Sequence, residues 1–247
     1  MKTKCFYEDG LWQAIEAHPK YDLGKRELEA LIKLLPVVAN AINNTIANLF
    51  HLGIGNGREI KFFIENFPVI NTYLANDICA ASLSRVIAET RKALPEVNFI
   101  EAHADVELKN VIKALRDNLF NSTLIALVAN AVIFSNRSMD KKIHDAMHEG
   151  DYFIVTLESY HSDIFKSYAI EPVYDLLSKS GLKVTAENVD IIYEDQCLKM
   201  LCEDELLLSS YKPTVNQLRA RMASSGFKEV LLQHYEDIHM IGALYKR

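Results

Sequence analysis

A glycine-rich turn directly after a short apolar run is the feature that most constrains this chain. The apolar run covers residues 49–52, the glycines are Gly53, Gly55 and Gly57, and a helical pattern begins near Glu59. A buried strand that turns sharply into a helix needs residues without a Cβ at the bend, both for unusual backbone angles and for close approach of a ligand. The stretch therefore predicts a strand, a ligand-binding turn and a helix, in that order.

A second apolar run, residues 72–77, predicts another strand, and it ends in Asp77. About twenty residues after such a glycine turn, a carboxylate is in a position to grip the two hydroxyls of a ribose. The turn and the acid together favour a site for a nucleoside-containing ligand over an ordinary glycine-rich turn of an α/β protein, which is the alternative.

The glycine spacing distinguishes between two kinds of cofactor. Dinucleotide sites use G-x-G-x-x-G, because the pyrophosphate lies on the helix N-terminus and the third glycine permits close packing. Here the pattern is G-x-G-x-G, followed by Arg58. This spacing resembles the first motif of class I S-adenosylmethionine-dependent methyltransferases, whose glycine loop passes under the methionine and ribose of the cofactor. The motif usually begins with an acid. That position is His51 here, and we expect His51 among the cofactor contacts.

Strands and helices alternate over the first two thirds of the chain. Three further strands are predicted at residues 97–102, 123–129 and 152–157, and the connecting helices at residues 59–66, 82–92, 106–118 and 139–148. This rhythm predicts an α/β fold with a Rossmann-like, doubly wound, mostly parallel sheet of seven strands. Ligands of such sheets bind at the carboxyl ends of the strands. Asp105 and Asn130, which follow the third and fourth strands, are therefore expected beside Asp77 and the glycine turn.

Three additions to this core are predicted. Helices at residues 11–18 and 25–38, the second kinked or ended by Pro36, form an N-terminal helical cap over residues 1–45. The alternation fails over residues 158–211, where a helix at 165–178 and short strands at 182–184, 189–193, 197–202 and 205–208 predict an inserted segment. After a helix at 215–224, strands at 227–234 and 238–245 form a terminal antiparallel hairpin. The whole chain, 1–247, is expected to be one domain.

Composition restricts the class of protein. The chain has 247 residues, 49% of them hydrophobic and 24% charged, which is typical of a globular domain. A net charge of −6 argues against nucleic acid as a partner. No apolar run reaches the roughly 18 residues of a membrane span, and the four cysteines lack the spacing of metal ligands. We therefore expect a cytoplasmic protein without a metal, acting on a small molecule as a monomer or a homodimer.

Several segments resemble one family, the histidine-specific amino-acid N-methyltransferases of ergothioneine biosynthesis. Residues 7–10, 19–21 and 25–27 are similar to its Y-D-x-x-G and P-E-Y-Y-x-T-R-x-E segments, the glycine turn to its G-S-G-x-x-R, and residues 210–214 to its S-Y-K-Y-T. The resemblance implies S-adenosyl-L-methionine as cofactor. It places the cofactor against Gly53, Gly55, Gly57 and Arg58, its ribose on Asp77, its adenine beside Asp105, and Tyr21 among the groups that close the site. It also implies that the inserted segment, 158–211, binds the substrate amino acid.

The same resemblance indicates that histidine is not the substrate. The family's substrate-binding asparagine lies in an I-G-N segment after the fourth strand, where this chain has Val132, Ile133 and Phe134. Its glutamate ahead of the S-Y-K segment is replaced by Leu208. The polar groups that would hold histidine are thus expected to be missing.

Methyl transfer from a sulfonium is an in-line displacement, so the protein must align the reactants and exclude water, and no metal is required. An amine acceptor must lose a proton before it attacks. Tyr160, His161 and Tyr211 are the catalytic candidates, because they follow the fifth strand or end the inserted segment, and a histidine titrates near neutral pH.

The sequence therefore predicts a methyltransferase that acts on a small amino acid or amine other than histidine. Two alternatives remain open. One is a degenerate module that binds the cofactor without turnover. The other is an enzyme of the nicotianamine-synthase type, which transfers an aminopropyl-type group from the same cofactor.

Overall fold

The computed structural model describes residues 11–43, 45–128 and 131–247 of the chain. The segment at residues 7–10 that contributes to the family resemblance, and the candidate residue Asn130, lie outside these ranges. Among the described residues, no helix has both the length and the apolar character needed to cross a membrane.

One seven-stranded sheet forms the centre of the molecule. Its strands are Asn48–Leu52 (β1), Thr72–Asp77 (β2), Asn98–His103 (β3), Thr123–Leu127 (β4), Tyr152–Glu158 (β5), Lys228–Tyr235 (β9) and Met240–Lys246 (β10). They lie in the order β3-β2-β1-β4-β5-β10-β9. Five strands, β1 to β5, pair in parallel. β10 lies between β5 and β9 and is antiparallel to both. The predicted doubly wound fold with a terminal hairpin is confirmed.

Helices cover both faces of this sheet, as its apolar sequence requires. Every residue of β1 and β4 is buried, because these strands are covered on both sides. One face carries α2, α3 and α4 (Leu23–Ala41, Ile60–Asn66 and Ala80–Ala93), and the other carries α5, α7 and α9 (Val111–Asp117, Met139–Ala146 and Val215–Ser224).

The predicted cap segment contains α1 (Leu11–Ala17) and α2. α2 continues past Pro36 to Ala41, so of the two effects predicted for this proline, a kink or an end, the end does not occur. A proline inside a helix removes one hydrogen bond and costs about 3 kcal/mol. The burial of Leu34, Leu35 and Val38 on the sheet outweighs that cost.

The inserted segment forms a separate sheet of three antiparallel strands, β6 (Val189–Glu194), β7 (Cys197–Cys202) and β8 (Glu205–Tyr211). Ahead of it, the helix predicted at 165–178 is divided into a 3-10 helix, Ile164–Ser167, and α8, Glu171–Ser178. Pro172 explains the division, because it has no backbone N–H to donate to the carbonyl of Tyr168 and its ring would clash with that carbonyl, so a helix begins there rather than running through. Residues 182–184 do not form the predicted strand; the backbone N–H of Val184 instead bonds to the Ser178 hydroxyl.

Two further helices near the carboxyl edge of the main sheet differ from the prediction. α5 begins at Val111 rather than at residue 106, because Asp105 accepts hydrogen bonds from the backbone N–H groups of Glu107 and Leu108 and holds a turn there. A short helix that the sequence pattern did not predict, α6 (Ala131–Phe134), follows β4.

Candidate cofactor site

A cleft opens at the carboxyl ends of β1, β2, β3 and β4. Of the residues proposed from the sequence as cofactor contacts, five line it: Gly53, Gly55, Arg58, Asp77 and Asp105. The parallel register explains this convergence, because β1 lies between β2 and β4 and all three end at the same edge.

The glycine turn is held by the neighbouring strand. The backbone N–H groups of Gly53 and Ile54 both donate to the carbonyl of Asn76, at 2.9 and 3.0 Å. Gly55 has a φ of +54°, and a Cβ built on it would have no atom within 4 Å. Because Gly55 lines the cleft, that open space is the cleft itself, so the turn presents bare backbone to whatever lies there.

Gly57 has a different role from Gly55. Its φ is +73°, and a Cβ on it would lie 2.2 Å from a methyl group of Val86 in α4. Gly57 does not line the cleft, and the absence of its side chain allows α4 to pack against the turn. The three glycines of the motif therefore serve both ligand approach and helix packing.

Asp77 ends β2 with its carboxylate against the glycine turn. One oxygen accepts from the backbone N–H of Gly55 at 3.0 Å, and the other from that of Cys79 at 2.8 Å. Burial raises the pKa of this carboxyl, and these backbone donors oppose the rise. Each carboxylate oxygen can accept more than one hydrogen bond, so Asp77 keeps acceptor capacity for a pair of ligand hydroxyls.

Arg58 lies between two carboxylates at the end of the turn. Its Nε is 3.1 Å from Glu59, and its Nη2 is 3.5 Å from Glu16 of α1. Glu16 also accepts a hydrogen bond from the side-chain amide of Asn56, at 2.8 Å. The cap is thereby joined to the glycine turn, and Glu16, Asn56 and Glu59 all line the cleft. Glu16 was not among the predicted residues, because only the folded chain brings α1 to this turn.

Besides Gly57, two predicted cofactor contacts, His51 and Tyr21, lie outside the cleft. His51 is 1% exposed, and its Nδ1 is 2.7 Å from the hydroxyl of Tyr73. Burial lowers its pKa to about 3, so the ring is neutral. Tyr21 is buried in the apolar cluster under the inserted segment. Neither side chain lines the cleft.

The three catalytic candidates do not line the cleft either. Tyr160 is 42% exposed and packs its ring 4.2 Å from that of Tyr193. The Nε2 of His161 is 3.1 Å from Glu158, and its ring stacks on His239. Tyr211 is buried and donates its hydroxyl hydrogen to Gln196 at 3.2 Å.

A buried group of charges lies where β5 ends. Glu158 is fully buried and forms ion pairs with Arg26 of α2, at 2.6 Å, and with Lys212, at 2.7 Å. Burial alone would raise the pKa of Glu158, but Lys212, His161 and Arg26 hold it well below its usual range. Sequence patterns gave no indication of Glu158, although Arg26 and Lys212 both fall in segments that resemble the family.

In the described ranges, no group of three or more histidine, cysteine or acidic side chains is arranged so that it could bind a metal ion.

Comparisons with known proteins agree with this geometry. The family described as histidine-specific methyltransferase, SAM-dependent, matches residues 1–175. No curated protein sequence matches the chain significantly.

The same fold occurs in solved structures whose sequences are only 13–14% identical to this chain. An S-adenosylmethionine-dependent methyltransferase from Clostridium acetobutylicum has a TM-score of 0.53 at 14% identity, over 90% of this chain and 91% of that one. The 1,6-didemethyltoxoflavin-N1-methyltransferase of Burkholderia thailandensis, solved with 1,6-didemethyltoxoflavin and S-adenosylhomocysteine, has a TM-score of 0.52 at 13% identity, over 89% and 79%. A protein from Pyrococcus horikoshii has a TM-score of 0.56 at 14% identity, over 95% and 98%.

Proposed function

The chain belongs to the family of histidine-specific, S-adenosylmethionine-dependent methyltransferases, and from that premise we propose that it methylates the nitrogen of a small amine or amino acid other than histidine. Its cofactor is S-adenosyl-L-methionine, which supplies a methyl carbon activated by the adjacent sulfonium. The remaining steps depend on the residues of the cleft.

The residues present fit that cofactor. The bare backbone at Gly55 leaves space where a side chain would project into the cleft. We assign the ribose hydroxyls to Asp77 and the adenine to the surroundings of Asp105, as the family resemblance implies. Arg58 is the cation that the cleft offers to the carboxylate of the methionine part.

The charge of the cleft is the observation that supports an amine as acceptor. Among the described residues, its lining contains five carboxylates and one guanidinium, that of Arg58. The five carboxylates are those of Glu16, Glu59, Asp77, Asp105 and Glu107. Such a wall attracts a substrate with a positive charge and repels an anion. An ammonium group is the cation that also becomes a nucleophile once it loses a proton.

The positions that differ from the family support an acceptor other than histidine. Phe134, which stands in place of the asparagine, is fully buried and packs its ring on Phe153 and Tyr211. Leu208, which stands in place of the glutamate, lies in the apolar cluster under the inserted segment. Neither residue offers a hydrogen bond to an imidazole. Val132 and Ile133 add an apolar section to the cleft wall instead.

The proposed methyl transfer depends on alignment of the methyl donor with the acceptor amine and on exclusion of water from the cleft. None of Tyr160, His161 and Tyr211 lines the described part of the cleft, so we assign the reaction no side-chain base, and the acceptor ammonium loses its proton to solvent before the amine attacks. We also propose that the chain is one domain with a cap at 1–45 and a substrate-binding insertion at 158–211, that it is cytoplasmic, and that it acts as a monomer or a homodimer.

A methyl-transfer assay tests this function. The protein is incubated with S-adenosylmethionine and a panel of amines and amino acids, and the products are identified by mass spectrometry. We expect an N-methylated amine together with S-adenosylhomocysteine, and no methylated histidine. Methylthioadenosine as the product would instead identify an aminopropyl-type transferase. Binding of S-adenosylhomocysteine without turnover on any acceptor would contradict the proposal and favour a binding module.

A further inference from the structure

Glu16 brings a carboxylate from the cap helix α1 to the cleft. Its neighbour Ile15 is fully buried in the apolar cluster under the inserted segment, and α1 packs on α8, so the position of the helix is fixed. The Oε2 atom of Glu16 accepts a hydrogen bond from the side-chain amide of Asn56 at 2.8 Å, and its Oε1 atom is 3.5 Å from the Nη2 of Arg58. All three side chains belong to residues that line the cleft. The carboxylate therefore lies at the end of the cleft that the glycine turn forms.

The amino-acid end of the cofactor needs two opposite charges at this end of the cleft. An α-ammonium and an α-carboxylate are attached to the same carbon, so their charged atoms lie within about 3 Å of each other. Each of them loses free energy when it leaves water without a partner. Arg58 and Glu16 present opposite charges 3.5 Å apart, which is longer than a charge-assisted hydrogen bond. The pair therefore matches a zwitterion that lies beside it, with the ligand carboxylate on Arg58 and the ligand ammonium on Glu16.

Two other positions near the glycine turn are less suited to the ammonium. The first methyltransferase motif usually begins with an acid, but His51 stands there and is buried, neutral and outside the cleft. The side chain of Glu59 is only 7% exposed and lies 3.1 Å from the Nε of Arg58. The side chain of Glu16 is 20% exposed, and each carboxylate oxygen accepts more than one hydrogen bond. Glu16 is thus the acid that a ligand ammonium can reach at this end.

The remaining carboxylates of the cleft belong to its nucleoside end. Asp77 ends β2, and Asp105 and Glu107 follow β3. Asp77 and Asp105 are assigned above to the ribose and the adenine, and Glu107 is the second residue after Asp105. These three acids are therefore placed for the nucleoside rather than for the amino-acid end of the cofactor.

We propose that Glu16 binds the α-ammonium of the cofactor's methionine part and takes the place of the acid that the motif lacks. The inference rests on the cofactor position proposed above, in which Arg58 receives the α-carboxylate. Because Glu16 belongs to α1, the same contact joins the cap to the bound cofactor. The cap is then held over the glycine turn by the ligand as well as by Asn56.

Two ligands that differ only in the amino group test this contact. One is S-adenosylhomocysteine, and the other is its analogue with hydrogen in place of the α-amino group. Glu16→Gln keeps the size of the side chain and an oxygen for Asn56, and it removes the charge. In titration calorimetry we expect this variant to bind S-adenosylhomocysteine about tenfold more weakly than wild type or worse, because a charge-assisted hydrogen bond is lost. It should bind the analogue without the amino group at least as tightly as wild type does.

Glu107→Gln is the matched control, because it removes a carboxylate from the same cleft at the nucleoside end. It should change the affinities for the two ligands by the same factor. Methylthioadenosine, which has no amino-acid part, should bind equally well to wild type and to Glu16→Gln. Thermal unfolding of both variants measures any loss of stability separately from binding.

Hydrogen exchange on the wild-type protein tests the contact without a substitution. The backbone amides of α1 should exchange more slowly when S-adenosylhomocysteine is bound, because the ligand ammonium holds the cap. The analogue without the amino group should have a clearly smaller effect on these amides.

Three results would overturn the inference. They are unchanged affinity of Glu16→Gln for S-adenosylhomocysteine, an equal loss of affinity for both ligands, and equal protection of α1 by both ligands. Failure of a different kind is distinguishable from these: a wild-type protein that binds neither S-adenosylhomocysteine nor methylthioadenosine would contradict the cofactor site itself.

Discussion

At the scale of single residues, Gly55 combines two properties that a side chain would disturb. Its backbone is left-handed, and its missing Cβ faces the open cleft. A left-handed conformation costs a residue with a side chain roughly 1–2 kcal/mol. A larger residue here would therefore strain the turn and occupy the space that we assign to the cofactor.

Replacement of Gly55 by valine should reduce binding of S-adenosylhomocysteine at least about tenfold, because the branched side chain fills the ligand's place, while the fold loses only about 1–2 kcal/mol. Calorimetry measures the first effect and urea unfolding the second. Gly181→Val is the matched control, since Gly181 also has a positive φ and open space around its Cβ position but does not line the cleft. It should lose stability and keep its affinity. Unchanged affinity in the Gly55 variant would show that the turn is not the binding loop.

Local sequence patterns predicted which residues lie at the cleft better than they predicted the side-chain contacts of individual residues. Gly53, Gly55 and Asp77 lie on the cleft because each is at the end of a strand or in the turn that follows it, and the end of a strand is visible in the sequence. The position of His51 depends instead on Tyr73 and on the ring of Phe63, which come from other elements.

At the scale of elements, the start of α2 is shaped to fit Arg58. Gly24 is a weak helix former, and alanine would be up to about 1 kcal/mol better at an ordinary helical position. A Cβ at this place would, however, lie 2.5 Å from the Nη2 of Arg58. The glycine therefore allows a cation of the cleft wall to rest directly on the helix.

Gly24→Ala should displace the Arg58 guanidinium from its position between Glu16 and Glu59. We expect weaker binding of S-adenosylhomocysteine, by about three- to tenfold, with no loss of stability, because the helix itself gains from alanine. Calorimetry and thermal unfolding measure the two effects. The same substitution in an Arg58→Ala background is the control, where it should have no further effect on affinity. An equal loss in both backgrounds would show that Gly24 does not act through Arg58.

Elements with a strong periodic pattern were predicted well, and those held by tertiary contacts were not. β2 and α9 begin and end where the sequence predicted. α2 continues past Pro36 because the buried side chains on the sheet decide its length, and these contacts are not local. The three strands of the inserted segment are visible in the sequence, but residues 182–184 have strand-like composition and no strand to pair with.

At the scale of the whole molecule, Glu158 joins three parts that are far apart in the chain. Arg26 comes from α2, Glu158 from β5, and Lys212 directly follows β8 of the inserted segment. Lys212 is fully buried, and its ammonium also lies 5.3 Å from the ring centre of Tyr168. Although burial would lower the pKa of Lys212, the Glu158 carboxylate holds it above its usual value, so the ammonium stays charged.

Breaking the ion pairs of Glu158 should destabilise the protein strongly. Glu158→Gln leaves the Lys212 ammonium buried without a counter-charge, which costs about 3–5 kcal/mol. Lys212→Met, in contrast, leaves Glu158 with Arg26. Most of the cost of Glu158→Gln comes from the unpaired ammonium of Lys212. The free energy of unfolding of the double variant, measured with denaturant, should therefore fall by clearly less than the sum of the losses of the two single variants. Strictly additive losses would show that the two side chains do not stabilise each other.

The position of β10 inside the sheet has a consequence for biosynthesis. β10 is the last strand of the sheet in chain order, yet it pairs with β5 on one side and with β9 on the other. While the nascent chain leaves the ribosome, β5 therefore keeps one edge of unpaired backbone groups until the entire inserted segment and α9 have been made. Such an edge readily pairs with other chains, and in this fold only the completed terminal hairpin covers it.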